Sequence, residues 1–164
     1  PFVRPSMVKQ LTGVDENGNK LSYDETLRRL IGREEIDLSR RNVIVSHQFY
    51  LPAGTHAEDV ERMDSEIRTV GNIDQVSADI LERFDYAALG HIHKPLEAGS
   101  EFCRYCGTPL ACSVSEAGQQ KGIVMVELGE KGDRKTAVLP LEPLRQGRVI
   151  RGELEEVLKQ GSGD

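Results

Sequence analysis

The chain has 164 residues, of which 38% are hydrophobic and 29% charged, and its formal net charge is −6. These proportions suit a globular domain with a buried core, and the acidity argues against a free-standing module that holds nucleic acid by bulk electrostatics. An enzyme that meets phosphate groups through metal ions is not excluded. No apolar run approaches the roughly 20 residues needed to span a bilayer, and the first residues lack the features of a signal peptide. We therefore expect a cytoplasmic protein with no membrane partner.

Three cysteines, Cys103, Cys106 and Cys112, lie close together in the sequence. An odd number of cysteines without a secretory signal argues against a disulfide framework and favours a reducing compartment. Cys103 and Cys106 have a zinc-like spacing, but a site of that type needs a second pair of ligands. We interpret all three as ordinary thiols of the core or of loops.

The first part of the chain predicts one helix and one buried strand. The first 20 residues are predicted to be extended and turn-like. Ser22 or Asp24 then caps a helix that runs to about Ile31, and Gly32 stops it. The apolar, β-branched run 42–47 predicts a short buried strand that ends in polar residues.

The remainder of the chain predicts a surface connection followed by further strands. Residues 51–72 are polar and acidic, which is typical of a long surface connection. Apolar residues at helical spacing predict a helix at 76–84. Strands are predicted at 86–89, 102–105, 122–127 and 135–139, and a short helix at 153–159. This mixture predicts an α/β fold, with helices flanking a layered, mixed β-sheet.

Three of the four histidines follow a predicted buried strand, which is where ligand sites lie in open α/β sheets. His47 follows the first strand, and His91 and His93 follow the second. We expect Gly90 to let the backbone turn, and two imidazoles at i and i+2 of an extended chain to point to the same side. Imidazole binds Zn, Mn, Fe or Co, so the pattern favours a metal site over histidines that only cap strand ends. His56 is interpreted as a surface residue.

The histidine motifs resemble the last two of the five ordered signatures of calcineurin-like metallophosphoesterases. Those signatures are D-x-H, G-D, G-N-H-D, a strand-end His and G-H-x-H, and the chain carries the last two at 45–48 and 90–93. The flanking residues resemble the SbcD-type DNA-repair nucleases in particular, over nearly the whole chain. The similar stretches are 1–5, 84–86, 88–93, 104–105, 107–110, 115–117, 121–122, 139–141 and 143–145.

The first three signatures are missing from this sequence. Residues 71–74 lack the His of G-N-H-D and follow His47, which is the wrong order, and the G-D at 132–133 belongs to a late turn. The resemblance implies that the true signatures precede Pro1. On this reading residues 1–144 are the C-terminal half of a metallophosphoesterase domain, which is present only as that half.

The last 20 residues depart from that domain. Residues 145–164 are expected to begin a capping domain or to form a tail, and 149–152 predicts a new strand. Two of the cysteines, Cys106 and Cys112, stand where the family more often has Ser and an aromatic residue. We therefore give them no catalytic role.

The resemblance implies a site with two manganese ions, about 3.5–4 Å apart, that activate water for attack on a phosphodiester. His47 and His91 would bind one ion and His93 the other, and beyond these metal ligands no catalytic residue of the family falls within this chain. Because the bridging carboxylate is missing, we expect the chain by itself to bind manganese weakly and not to cleave DNA. The sequence does not identify the acceptors that would orient these imidazoles.

The resemblance also implies partners and a function for the complete protein. The partners are DNA and an SbcC-type ATPase subunit, and a homodimer is compatible with the pattern. The function is exonuclease and endonuclease activity in DNA repair and recombination. Two alternatives remain open, namely a metallophosphoesterase that acts on small phosphate esters and a non-catalytic scaffold partner of an ATPase.

Overall fold

The computed structural model describes residues 4–60, 66 and 74–161. In this part of the chain two helices come first, eight strands follow with short 3-10 turns between them, and a third helix comes last, so the structure mixes α and β elements. The helices are α1 (Val8–Thr12), α2 (Tyr23–Gly32) and α3 (Leu154–Gly161). The strands are β1 (Val43–His47), β2 (Phe49–Leu51), β3 (Gln75–Ser77), β4 (Tyr86–Gly90), β5 (Leu96–Ser100), β6 (Cys103–Tyr105), β7 (Gly122–Leu128) and β8 (Arg134–Pro140).

The largest sheet has four strands in the order β1-β4-β6-β5. Strands β1, β4 and β6 run parallel, and β5 is antiparallel to β6, so the sheet is mixed, as predicted. The register pairs Val43 with Tyr86 and His47 with Gly90. The carboxyl ends of β1 and β4, each of which precedes a histidine motif, therefore lie side by side at the same end of the sheet. Strands β2 and β3 form a separate parallel pair, and β7 and β8 form an antiparallel hairpin.

The core lies around β2, which follows His47 after a single residue. Phe49, Tyr50 and Leu51 are all fully buried, because an uninterrupted apolar run suits a strand that is covered on both faces. The hydroxyl of Tyr105 in β6 donates to the carbonyl oxygen of Gln48 at 2.8 Å and accepts from the Tyr50 amide at 2.6 Å. The sheet thereby fixes the backbone that immediately follows His47.

Several sequence predictions are confirmed. The strands at 86–89, 102–105, 122–127 and 135–139 and the short helix near the end form as expected. A strand also forms at 43–47, but the prediction that it is buried is wrong, because Val43 and Val45 are exposed. Helix α2 begins at Ser22, which accepts from the amide of Glu25 while the Glu25 carboxylate accepts from the amide of Ser22. This reciprocal capping satisfies donors that the first turn leaves unpaired.

Other predictions are wrong. The first 20 residues contain helix α1, and α2 continues through Gly32 to a cap at Arg33. The helical spacing at 76–84 corresponds to strand β3 and a 3-10 turn at Ala78–Leu81, since these apolar side chains fill the core from two short elements. Residues 149–152 form no strand. Strands β2 and β5 were not predicted. Residues 1–3, which belong to a stretch similar to the SbcD-type nucleases, and residues 71–73, which were compared with the G-N-H-D signature, lie outside the described residues.

Among the described residues, no helix combines the length and the apolar character needed to cross a bilayer.

Asp85 connects the start of the four-stranded sheet to the β7–β8 hairpin. Its Oδ2 atom accepts from the amide of Asn42 at 2.7 Å and from the Nζ of Lys131 at 2.6 Å. The Arg134 guanidinium donates to the Asp85 carbonyl oxygen at 2.8 Å. The hydrogen bond from Lys131 holds the pKa of the Asp85 carboxyl below its ordinary value, despite the opposing effect of burial.

Asp85 should therefore make folding stability depend on pH. A carboxyl whose pKa is lower in the folded state stabilises the protein above its unfolded pKa, and that contribution is lost as pH falls through the folded pKa. We expect Asp85→Asn to flatten the loss of stability below about pH 4, by about 1 kcal/mol or less because Lys131 is partly exposed. Urea unfolding from pH 6 to about pH 2 measures this, and an unchanged acid slope in the variant would contradict it.

Candidate metal centre

Strands β1 and β4 place the imidazole of His47 directly over Gly90. A Cβ atom added at Gly90 would lie 2.6 Å from the Nδ1 of His47, which is closer than two such atoms can approach. Gly90 has ordinary strand geometry, so the expectation that it supplies the turn is wrong. Its missing side chain instead leaves the space that the His47 ring occupies.

The turn itself falls on His91, whose φ is +108°. A non-glycine residue in this region is strained by about 1–3 kcal/mol, and such strain concentrates at functional sites. The His91 ring is buried between two others, 5.7 Å from His47 at an interplanar angle of 88° and 6.0 Å from Phe49. The expectation of an extended chain through His91 is therefore wrong, yet His47 and His91 do lie side by side.

His47 is the more accessible of these two histidines. Partial desolvation beside the sheet, together with the nearby charge of His93, lowers the pKa of His47. A lower pKa favours the neutral imidazole, which is the form that binds metal ions.

His93 is held through its backbone as well as its ring. Its amide donates to Oε1 of Glu66 at 2.7 Å, and its carbonyl oxygen accepts from the amide of Thr108 at 3.1 Å and from the Nζ of Lys121 at 3.2 Å. Its Nδ1 lies 3.2 Å from Oε1 of Glu116. Histidines that ligate metals commonly have such a carboxylate on the nitrogen that does not bind the ion.

The Glu116 carboxylate is fully buried. Its Oε2 accepts from the hydroxyl of Thr108 at 2.9 Å and from the ammonium of Lys121 at 2.7 Å, and its Oε1 accepts from the hydroxyl of Ser113 at 3.1 Å. The Lys121 ammonium, also buried, donates in addition to Oε1 of Gln119 at 2.9 Å. Short contacts and additional hydrogen bonds on both ions are what a buried ion pair needs to offset its desolvation.

Sequence reasoning did not single out the residues that support His93. The stretches that contain Glu116 and Lys121 were noted only as similar to the SbcD-type nucleases. The sequence feature that could have identified these two residues is a pair of opposite charges, five residues apart, that follows a strand-end histidine.

The prediction of a surface connection at 51–72 is wrong at Leu51 and at Glu66, which are both buried.

The cysteines have no disulfide among the described residues. Cys103 is half-buried in β6, where burial raises the pKa of its thiol to about 11, and Cys106 and Cys112 are exposed. The donor atoms of His93, Cys112 and Glu116 all lie within 4.8 Å of one another. The Lys121 ammonium beside the same carboxylate opposes a cation there, so we retain the interpretation of ordinary thiols.

The donor set fits part of a two-metal site. Two imidazoles stand edge to face at adjacent strand ends, and the Nδ1 of the third lies beside a carboxylate. Within the described part of the chain, no carboxylate joins His47 or His91 in a compact group of three donors. The residues present therefore fit the imidazole portion of the site that the resemblance implies.

Comparison with known proteins identifies a relative of the chain. The SbcD component of the SbcCD nuclease of Staphylococcus saprophyticus is 32% identical to it over 142 residues, which cover 85% of this chain and 36% of that protein. The chain thus spans about a third of the length of this curated relative. No protein-family model matches the chain.

The position of His47 should depend on the absence of a side chain at Gly90. We expect Gly90→Ala to push the His47 ring away from His91 while changing stability by about 1 kcal/mol or less, because an exposed imidazole can rotate to relieve the clash. Loss of proton–proton contacts between the two rings by NMR measures the effect. Gly32→Ala, whose Cβ would meet nothing within 4 Å, is the control. Unchanged ring contacts in Gly90→Ala would contradict the packing described here.

Proposed function

We propose that this chain is part of a metal-dependent DNA nuclease. Its resemblance to the SbcD-type nucleases is confirmed by its similarity to the SbcD component of an SbcCD nuclease. The reaction is hydrolysis of phosphodiester bonds, with exonuclease and endonuclease activity in DNA repair and recombination. The observation that carries the proposal is the meeting of His47 and His91 at adjacent strand ends, with His93 held by a buried carboxylate close by.

Each histidine has a proposed role in binding two manganese ions. His47 and His91 would hold one ion, and Nε2 of His93 would hold the other. When bound, such ions would lower the pKa of a water and would neutralise the charge that develops on the phosphodiester. The protein contributes rigid placement, since the strained backbone at His91 and the hydrogen bonds of His93 described above fix where the imidazoles stand.

The proposed site is incomplete without further protein ligands. Three imidazoles shared between two ions leave the bridging carboxylate to be supplied by other residues of the domain. Strand β1 lies at an edge of the four-stranded sheet in the described part of the chain, and it exposes Val43 and Val45. We propose that strands bearing the D-x-H and G-N-H-D signatures pair there, completing the layered metallophosphoesterase sandwich. An edge of this kind also favours self-association when it is uncovered.

The remaining proposals concern the complete protein. Residues 1–144 are proposed as the C-terminal half of the nuclease domain, and 145–164 as the start of a capping domain or a tail. DNA is the proposed substrate, an SbcC-type ATPase subunit the partner and the cytoplasm the location. The relative's printed name refers to a two-component SbcCD nuclease, which supports the ATPase partner.

The direct test measures manganese-dependent cleavage of linear double-stranded DNA by the chain alone and mixed with the upstream half that carries the other signatures. We expect cleavage only in the mixture, and a loss of at least about 100-fold on His93→Ala, since removal of a metal ligand removes charge stabilisation in the transition state. His56→Ala, at an exposed position in the connection that follows β2, should cleave like the wild type. Isothermal titration should show manganese binding to the chain alone that is weaker than micromolar.

Three outcomes would contradict the proposal. Micromolar manganese affinity of the chain alone would show that its own residues complete a site. No cleavage by a folded, assembled mixture would favour a non-catalytic scaffold. Faster hydrolysis of small phosphate esters than of DNA ends would favour a different metallophosphoesterase.

A further inference from the structure

We propose that Glu116 is the positioning residue for His93. Its carboxylate accepts the proton of Nδ1, so that the neutral imidazole carries its hydrogen on Nδ1 and offers Nε2 as the metal-binding nitrogen. The consequence for metal binding rests on the proposed function above. The position of the proton is a property of this chain whether or not a metal is bound.

The contact between the two residues requires this arrangement. Oε1 of Glu116 lies 3.2 Å from Nδ1 of His93. An ionised carboxylate only accepts hydrogen bonds, and a neutral imidazole has a single N–H. With Glu116 ionised and His93 neutral, this contact is a hydrogen bond only when the hydrogen is on Nδ1 and the lone pair is on Nε2. Free histidine in water prefers the opposite form, with the hydrogen on Nε2, so the protein environment has to select this one.

Three donors besides His93 stabilise the negative charge of Glu116. The Lys121 ammonium stands 2.7 Å from Oε2, the Thr108 hydroxyl donates to the same oxygen at 2.9 Å, and the Ser113 hydroxyl donates to Oε1 at 3.1 Å. Because the carboxylate is fully buried, these contacts are not exchanged with bulk water. They also fix its position, since each oxygen is held from more than one direction.

Lys121 connects the carboxylate to the backbone of the histidine that it orients. The ammonium bonds both Oε2 of Glu116 and the carbonyl oxygen of His93, at 2.7 Å and 3.2 Å. The amide of His93 is separately held by Glu66. These hydrogen bonds hold the backbone of His93 in place. The hydrogen bond between Nδ1 and Glu116 then fixes the rotation of the imidazole ring. Loss of such an outer partner typically weakens metal binding by about 10–100-fold.

The first experiment reads the position of the proton without metal. Nitrogen-15 NMR of the metal-free, histidine-labelled chain, at a pH where imidazoles are neutral, distinguishes a protonated ring nitrogen from an unprotonated one. His93→Gln assigns the signals. We expect wild-type His93 to be protonated at Nδ1, and Glu116→Gln to shift it to Nε2, because the amide group of glutamine can donate to Nδ1.

Gln119→Met is the matched control. It removes one acceptor of the Lys121 ammonium, but it leaves the buried ion pair and the carboxylate beside His93, so the proton should stay on Nδ1. If Glu116→Gln does not fold, the Glu116→Gln/Lys121→Met double variant, which buries no charge at either position, is measured in its place with the same expected shift to Nε2. Protonation of wild-type His93 at Nε2, no change on removing the carboxylate, or an equal change in Gln119→Met would overturn the proposal.

A second readout separates this proposal from the proposed function. In the protein assembled with the upstream half, Glu116→Gln should weaken manganese binding by about 10–100-fold, while Gln119→Met should weaken it less. If the assembled protein neither binds manganese nor cleaves DNA, the proposed function fails, and the proton position in the chain still decides the role of Glu116. If the wild type cleaves DNA and the variant binds manganese equally well, the role of Glu116 fails and the nuclease stands.

Discussion

The parallel pairing of β1 with β4 is the constraint on which the site depends. It sets His47 opposite Gly90, so that an imidazole lies over a position without a side chain. A shift of one residue would move His47 to the other face of its strand. The buried residues of β2 and the Tyr105 hydroxyl hold the chain just beyond His47, and they thereby secure this register from the side of the core.

A second constraint acts on His93 and has a different physical origin. Where His47 is placed by packing, His93 is placed by a buried polar network centred on Glu116 and Lys121. Such a network contributes little net stability when complete and costs about 3–5 kcal/mol when one charge is removed. The network therefore strongly favours one arrangement of these side chains over alternative arrangements. Packing around His47 and His91 and the charged network around His93 together set the positions of the three imidazoles.

The sequence predicted those parts of the fold that depend on local pattern. The β-branched run before His47 and the capping residue Ser22 identified β1 and the start of α2, because periodicity and capping act over a few residues. The 76–84 region was misread, since apolar spacing that suits a helix also suits a short strand followed by a 3-10 turn. Two features of the site depend on contacts between distant residues, namely the space at Gly90 for the His47 ring and the carboxylate of Glu116 on His93. Neither feature can be inferred from the spacing of nearby residues, although both Gly90 and Glu116 lie in stretches that resemble the SbcD-type nucleases.

The most direct test of this account is a manganese titration of the assembled protein with nitrogen-15-labelled histidines. The paramagnetic ion broadens the signals of nearby nuclei, and exposed His56 serves as an internal control. The account predicts that His47, His91 and His93 broaden together at manganese concentrations that leave His56 sharp. Broadening of His93 without His47 and His91, or equal broadening of all four histidines, would contradict the claim that the strand ends form one metal-binding site.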